Sequence, residues 1–387
     1  MQHGQTIQFA QGLAKVSQLS DLQNSEAWTR ALRNKCKDHR YYEIVEETLQ
    51  CGFEHHYLLL EDAVGNVRAI QPVFFVRQNL VEGVPGKIRS IVDGIRKVFP
   101  RFLTMRVLMV GCAAGTGDLG PFSKKDEPWV ANALQATLRT YAKQNKASLV
   151  VFKDFAANYR SPLETLVSNA YARIPSMPMT RLPLPYANWD EYFATLSKAT
   201  RKDLRRKFRK AEREPKIEME IVNDVAPLVD EIYPLYLAVH ERSPLKFETL
   251  TKDYFRAVGN QMPDHARFFI WRQSGKIVAF SFCLVCGDAI YDECIGLDYR
   301  VALDLHLYFH TLRDIISWAL LQRLKYYYSN PLNYEPKLHL DCELVPLDLY
   351  IIHTNRLLNP VFRRAIKYLG PTHHDPVLHR FPNADEL

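Results

Sequence analysis

A β-hairpin pattern recurs in this chain at a distance of 210 residues, and that repeat restricts the fold more than any other feature. Residues 57–76 read as an apolar run, a turn at Gly65-Asn66, then Val67-Arg68-Ala69-Ile70 and a second apolar run. Residues 268–285 repeat the order, with a turn at Gly275-Lys276 followed by Ile277-Val278-Ala279-Phe280. Each hairpin is followed by a strand, a helix and another strand. These fall at 104–110, 127–144 and 148–152 in the first copy, and at 289–295, 305–323 and 324–328 in the second. Strands joined through a helix are parallel partners in one sheet. The expected fold class is α/β, with two tandem units, each a mixed central sheet with flanking helices.

A length of 387 residues agrees with two domains. The expected organisation is an N-terminal segment 1–30, a first unit 31–174, a proline-punctuated linker 175–188 and a second unit 189–345. The second unit opens with a basic helix at 197–213. A C-terminal helix (347–369) and tail complete residues 346–387. The copies differ in one respect: Gly65 to Gly111 spans 46 residues and Gly275 to Gly296 only 21. The first copy thus carries about 25 extra residues at 79–102, a lid or a variable surface loop.

The longest apolar stretches, 107–114 and 315–321, fall short of the roughly 18–20 residues needed to span a bilayer. Residues 1–10 carry no secretory pattern, and seven scattered cysteines suit reduced thiols, so a cytoplasmic location is expected. Cys283 and Cys286 have CxxC spacing inside a strand-like run, where positions i and i+3 face opposite sides; no metal is expected there. The formal net charge is +7, and residues 197–216 alone hold ten Lys/Arg against three Asp/Glu. All the excess charge sits on one helix. Leu196, Thr200, Leu204, Phe208 and Ala211 form its apolar stripe. Such a concentration suits an anionic partner: donor phosphates, tRNA, an acidic carrier protein, or peripheral contact with an anionic membrane surface. A merely solvated face is the plainer alternative. No recognition-helix pattern supports sequence-specific DNA binding.

Gly115-Thr116-Gly117-Asp118-Leu119-Gly120 follows the strand 107–110 and imitates a nucleotide loop. That loop requires a helix directly behind it and an acidic residue about twenty positions on. Here residues 121–128 intervene, and Asp154 lies 39 residues after Gly115. A glycine-rich bend at a ligand cleft fits better than a methyltransferase or dehydrogenase site.

Several segments, in order, carry a resemblance. They are Ser197 through Lys207, Leu250-Thr251-Lys252-Asp253-Tyr254-Phe255, Gly275-Lys276-Ile277-Val278-Ala279 and Tyr334-Glu335-Pro336-Lys337. Together they resemble the Fem-type branch of the Gcn5-related N-acyltransferase (GNAT) superfamily over about residues 25–345, most closely bacterial predicted N-acyltransferases of peptidoglycan-biosynthesis type. The resemblance implies two GNAT-like units and transfer of an acyl or aminoacyl group to an amine. It implies no permanently bound cofactor, with acyl-CoA, acyl carrier protein or aminoacyl-tRNA as donor. The superfamily's pyrophosphate loop is missing; Gly296 through Asp304 stands in its place.

Acyl transfer to an amine needs a base, an oxyanion donor and close placement of the reactants. The resemblance puts oxyanion donors on backbone amides of a splayed central strand. Tyr291-Asp292-Glu293 lies on that strand, and alternation puts Tyr291 with Glu293 on one face and Asp292 with Cys294 on the other. The expected catalytic residues are Tyr291, Glu293, Lys337 and His306, Lys337 holding donor phosphate or an oxyanion. Arg201, Arg205 and Arg209 are the expected anion-binding residues. His306, His310 and Asp314 at intervals of four have metal-like spacing but lack the Glu of a zinc-protease helix. They are read as a helix edge or acceptor lining. The rival reading is a non-catalytic module of degenerate units that binds an anionic ligand.

Overall fold

The computed structural model describes residues 5–33, 35–79, 94, 104–211, 215–366, 370, 372 and 375–387. Two compact units emerge: Met1–Met177 with Pro346–Pro376 and Leu387, and Pro178–Val345 with Val377–Glu386. The insertion expected at 79–102 falls almost wholly outside the described residues.

The first unit contains β1 (Thr6–Phe9), β2 (Gly12–Ser17), β3 (Phe53–Asp62), β4 (Val67–Asn79), β5 (Thr104–Val110), β6 (Leu149–Ala156) and β7 (Ala172–Pro175). The second contains β8 (Met179–Pro183), β9 (Ile217–Val222), β10 (Ala266–Gln273), β11 (Lys276–Cys286), β12 (Ala289–Leu297), β13 (Tyr326–Ser329) and β14 (Glu343–Val345). A last strand, β15 (Leu347–His353), returns to the first sheet. The strand orders are β1-β2-β3-β4-β5-β6-β15-β7 and β14-β8-β13-β12-β11-β10-β9.

The repeat holds at the level of strand pairing. β3, β4 and β5 are antiparallel neighbours and β5 pairs parallel with β6. β10, β11, β12 and β13 reproduce that order and those directions. The crossovers are the helices Glu127–Gln144 and Leu307–Leu321. Val130, Leu134, Leu138 and Tyr141 are buried on the first, and Leu312, Ile315, Ile316 and Ala319 on the second. Spacings of three and four put each set on one face, which seals one side of its sheet.

The boundary expectations change: residues 6–17 supply β1 and β2 to the first sheet, so the first unit does not begin at 31, and residues 346–387 divide between the two units. Residues 175–188 are not simply a linker, because β7 ends at Pro175 and β8 lies within that range. β7 is an edge strand, so Pro175 forfeits no ladder bond, and Pro183 is the terminal paired residue of β8, opposite Tyr326. Residues 347–369 are not one helix. Leu347–His353 pairs with both β6 and β7, and the helix is Asn359–Ile366. A strand flanked on both sides and buried along most of its length shows no clean alternation, so its apolar run reads equally well as helix. Among the described residues no helix is long and apolar enough to cross a membrane.

Candidate active site

In the second unit β12 and β13 pair from Ala289 opposite Tyr326 to Asp292 opposite Ser329, and no further. β12 continues to Leu297, so from Glu293 onward its edge has left the β13 ladder and a gap opens. On its other side, β11 pairs Cys283 with Asp292 and Phe282 with Cys294. Glu293 is therefore one residue too many, a β-bulge at the mouth of the gap. The bulge corrects the expected alternation. Cys294 falls on the face of Tyr291, and Asp292 on the opposite face with Cys283 and Ser281.

Asp292 Oδ1 accepts the Ser281 hydroxyl at 2.5 Å and Oδ2 accepts the Tyr327 hydroxyl at 2.7 Å. Burial pushes its pKa up, and these two donors together with the Lys337 charge pull against that rise. Lys337, on the short helix Tyr334–His339, is only 2% exposed. Its Nζ donates to the carbonyls of Asn330 and, at 2.9 Å, Leu332. Burial lowers its pKa to about 8, opposed by the Asp292 charge. Asn330 joins the parts: its backbone N donates to Asp292 O at 3.2 Å, and its Nδ2 to Glu293 O at 2.7 Å and Glu293 Oε2 at 3.0 Å. Lys337 thus fastens the turn after β13, and that turn fixes the bulged carboxylate.

The expected site residues separate accordingly. Glu293 stands half-buried where the strands part. Lys337 is buried, with its ammonium held by the carbonyls of Asn330 and Leu332. Tyr291 stacks on Tyr328 with centroids 4.7 Å apart and planes 10° from parallel. His306 precedes Leu307–Leu321 with a left-handed φ of 49°. His310 is buried against Phe208, 5.3 Å between rings, and burial lowers its pKa to about 4. Asp314 accepts from Trp271 Nε1 at 2.8 Å and Arg313 Nε at 2.9 Å, so it is committed to packing. Among the described residues no group of three or more side chains has the makings of a metal site.

The basic helix is Lys198–Ala211. Leu204 and Phe208 are buried, with Arg313 lying over Phe208 at 4.8 Å. Arg201 turns back to donate to the carbonyls of Ala194 (2.7 Å) and Leu196 (2.5 Å), closing the end of the preceding helix. It is occupied in holding structure. Arg205 and Arg209 are exposed, in line with Lys198 and Lys202 at spacings of four, three and four.

Sequence reasoning passed over Ser281, Asn330 and Tyr327, and set Asp292 aside. Asn330-Pro331 directly behind β13 was the one available signal, a turn-forming pair at a strand end.

The first unit ends its parallel pair similarly, at Val110 opposite Phe152, while β6 runs on to Ala156. Its gap is filled by residues 111–122. Gly117 N donates to Asp154 O at 3.0 Å, Ile70 N to Gly120 O at 3.0 Å, and Phe122 N to Arg68 O at 2.9 Å. The Gln71 side chain accepts from Gly120 N at 3.1 Å and donates to Asp118 O at 3.0 Å. A Cβ on Gly117 would lie 2.3 Å from Lys153 O, and one on Gly120 2.0 Å from Ile70 O. These glycines let chain lie on chain; the bend plugs a cleft rather than bordering one. The next α-helix starts only at Glu127.

Two mixed sheets, each with a hairpin, a third strand, a crossover helix and a parallel strand that parts from it, define a tandem α/β fold of N-acyltransferase type. Residues 198–334 match the acetyltransferase (GNAT) domain family. No curated protein sequence matches the chain. The crystal structure of FemX is similar over 90% of this chain and 99% of its own, with a TM-score of 0.54 at 10% identity. The C-terminal domain of a putative lysylphosphatidylglycerol synthetase from Agrobacterium fabrum is similar over 88% of this chain and 95% of its own, with a TM-score of 0.50 at 13% identity. The chain shares the fold of FemX, and residues 198–334 of its second unit match the GNAT domain family.

Proposed function

We propose that the second unit transfers an acyl or aminoacyl group from a carrier-bound donor to an amine, in the gap between β12 and β13. The observation that carries this reading is the bulged Glu293 carboxylate, held by Asn330 where the two strands part. An amine attacking a thioester or ester must lose a proton, and Glu293 is the half-buried base beside the opening. The developing oxyanion meets backbone N–H groups on the edge of β12 that has left the ladder. The C–S or C–O bond to the carrier then breaks as the amide forms, and the proton collected by Glu293 passes to the leaving group or to solvent. Asp292 acts one step back. Its two hydroxyl partners anchor the strand beneath the bulge, which makes it a positioning residue.

The thiols of Cys283 and Cys294 are pushed up well above the ordinary cysteine range by burial, so neither is an activated nucleophile. That favours direct transfer over an acyl-enzyme. The exposed line of Lys198, Lys202, Arg205 and Arg209 suits a carrier bearing phosphates, whether coenzyme A, an acylated carrier protein or tRNA.

The test offers the purified chain acyl-CoA, acylated carrier protein and aminoacyl-tRNA, each with a mixture of primary amines. Release of the carrier and the amides formed are followed by mass spectrometry. One donor class consumed only when amine is present is the expected result. Consumption of none of the three overturns acyl transfer and favours the anion-binding module.

A further inference from the structure

Among the described residues seven large apolar side chains stand exposed, and three of them fall within five consecutive positions: Leu357 at 86%, Leu358 at 52% and Val361 at 72%. Single exposed leucines are ordinary; a contiguous ridge of them marks a surface that something covers. This ridge lies in the first unit, on the turn after β15 and on the helix Asn359–Ile366.

The turn has a firm base. Leu357 N donates to Asn355 Oδ1 at 2.9 Å, and Asn359 N to Asn355 O at 3.1 Å. Asn359 Oδ1 accepts from His353 N at 2.9 Å, and its Nδ2 donates to Ala170 O at 3.0 Å. Asn359 and Ile366 are buried, and the Phe362 ring lies 5.8 Å from that of His353. The helix therefore spends one face on its own unit, with Val361 exposed next to the two leucines of the turn.

Charge indicates what covers that face. Between Asp348 and Asp375 the sequence has no acidic residue, while Arg356, Arg363, Arg364 and Lys367 are all basic. Arg356 and Arg364 are exposed beside the leucines, and Arg139 feels the charge of Arg356. Protruding aliphatic side chains in a segment with basic and no acidic residues match the boundary layer of an anionic bilayer. There the leucines reach the acyl region while the guanidinium groups meet lipid phosphates. A protein partner would have to pair a dense set of cations with an equally dense set of anions around a small apolar centre.

We propose that Leu357, Leu358 and Val361, flanked by the exposed Arg356 and Arg364, dock this chain peripherally on an anionic lipid surface. The inference stands independently of acyl transfer. Its test is flotation of the full chain with phosphatidylcholine vesicles, with and without a minor fraction of phosphatidylglycerol. The wild type floats only with phosphatidylglycerol present. Leu357→Ser with Leu358→Ser weakens partitioning roughly tenfold or more. Arg356→Ser with Arg364→Ser does so by roughly tenfold at low salt, an effect that fades as salt rises. Leu303→Ser, which removes another exposed leucine, floats like the wild type. All these side chains are on the surface, and an unchanged melting temperature confirms folding. A wild type that does not float, or a leucine double variant that floats equally well, overturns the proposal. So does self-association in sedimentation velocity that the leucine variant abolishes in place of vesicle binding.

Discussion

Alanine at each glycine of the 115–120 bend separates a chain-packing role from a nucleotide-binding one. At Gly115 the three atoms nearest the added Cβ all belong to the Lys37 side chain, with Nζ at 2.7 Å. That side chain can shift, and Gly→Ala at a compatible backbone position recovers a few tenths of a kcal/mol through the unfolded chain, so Gly115→Ala should change stability by under about 1 kcal/mol. At Gly117 the Cβ would lie 2.3 Å from Lys153 O and 2.4 Å from the Phe155 ring. The backbone must withdraw and release the Gly117 N to Asp154 O bond. Overpacking costs roughly 1–3 kcal/mol and the bond roughly 1 kcal/mol, together about 2–4 kcal/mol. Gly120→Ala, driven against Ile70 O at 2.0 Å, belongs in the same range. For a unit of this size the loss lowers the first unit's melting temperature by roughly 5–15 °C, measurable by calorimetry. A dinucleotide or adenosylmethionine loop predicts the reverse: lost ligand binding in titration calorimetry, unaltered melting, and Gly115 as sensitive as the others. That pattern would refute the plug.

Three more predictions follow from the second unit. Tyr327→Phe removes one donor from a half-buried carboxylate whose pKa desolvation already raises, so Asp292 takes up its proton at still higher pH. The variant should match the wild type most closely in acid and lose roughly 1–3 kcal/mol as pH rises past the wild-type Asp292 value, read from urea midpoints across pH. Lys337 titrates at about 8 when folded and at its ordinary, higher value when unfolded. Its burial cost is therefore fully present below pH 8 and relieved as pH climbs toward 10. Wild type minus Lys337→Met stability should rise by roughly 2 kcal/mol over that interval, and a flat difference would contradict the assignment. Reversing Lys202, Arg205 and Arg209 to Glu should raise KM for the donor and flatten its salt dependence, with kcat little moved.

The repeat was legible because turns, strand runs and helix periodicity recur in the same order, and local pattern suffices to see that. The strands 104–110 and 127–144's helix agree with the expected ranges. β7, β8 and β15 were not legible, since prolines at strand ends and a strand lacking polar alternation leave no periodic signal. Within the site, Glu293 could be singled out as a carboxylate on the third strand. The bulge that re-aims it depends on a partner strand skipping one residue, which sequence spacing alone does not display. The same holds for Lys337. The expectation for Lys337 was contact with donor phosphate or an oxyanion, and the carbonyls of Asn330 and Leu332 that hold it were not visible in the spacing. Arg201 looked like its basic neighbours until its guanidinium was found closing a helix end.

The most direct measurement is single-turnover acyl transfer by Glu293→Gln beside the wild type, with the donor that the panel identifies. Glutamine keeps the shape and can still accept the Asn330 amide hydrogen bond, yet it cannot take a proton. A fall in rate of roughly 10²–10⁴, with donor affinity little altered, is the predicted result. A variant within about twofold of the wild type, where removing a general base should cost orders of magnitude, would place the chemistry somewhere other than the opening between β12 and β13.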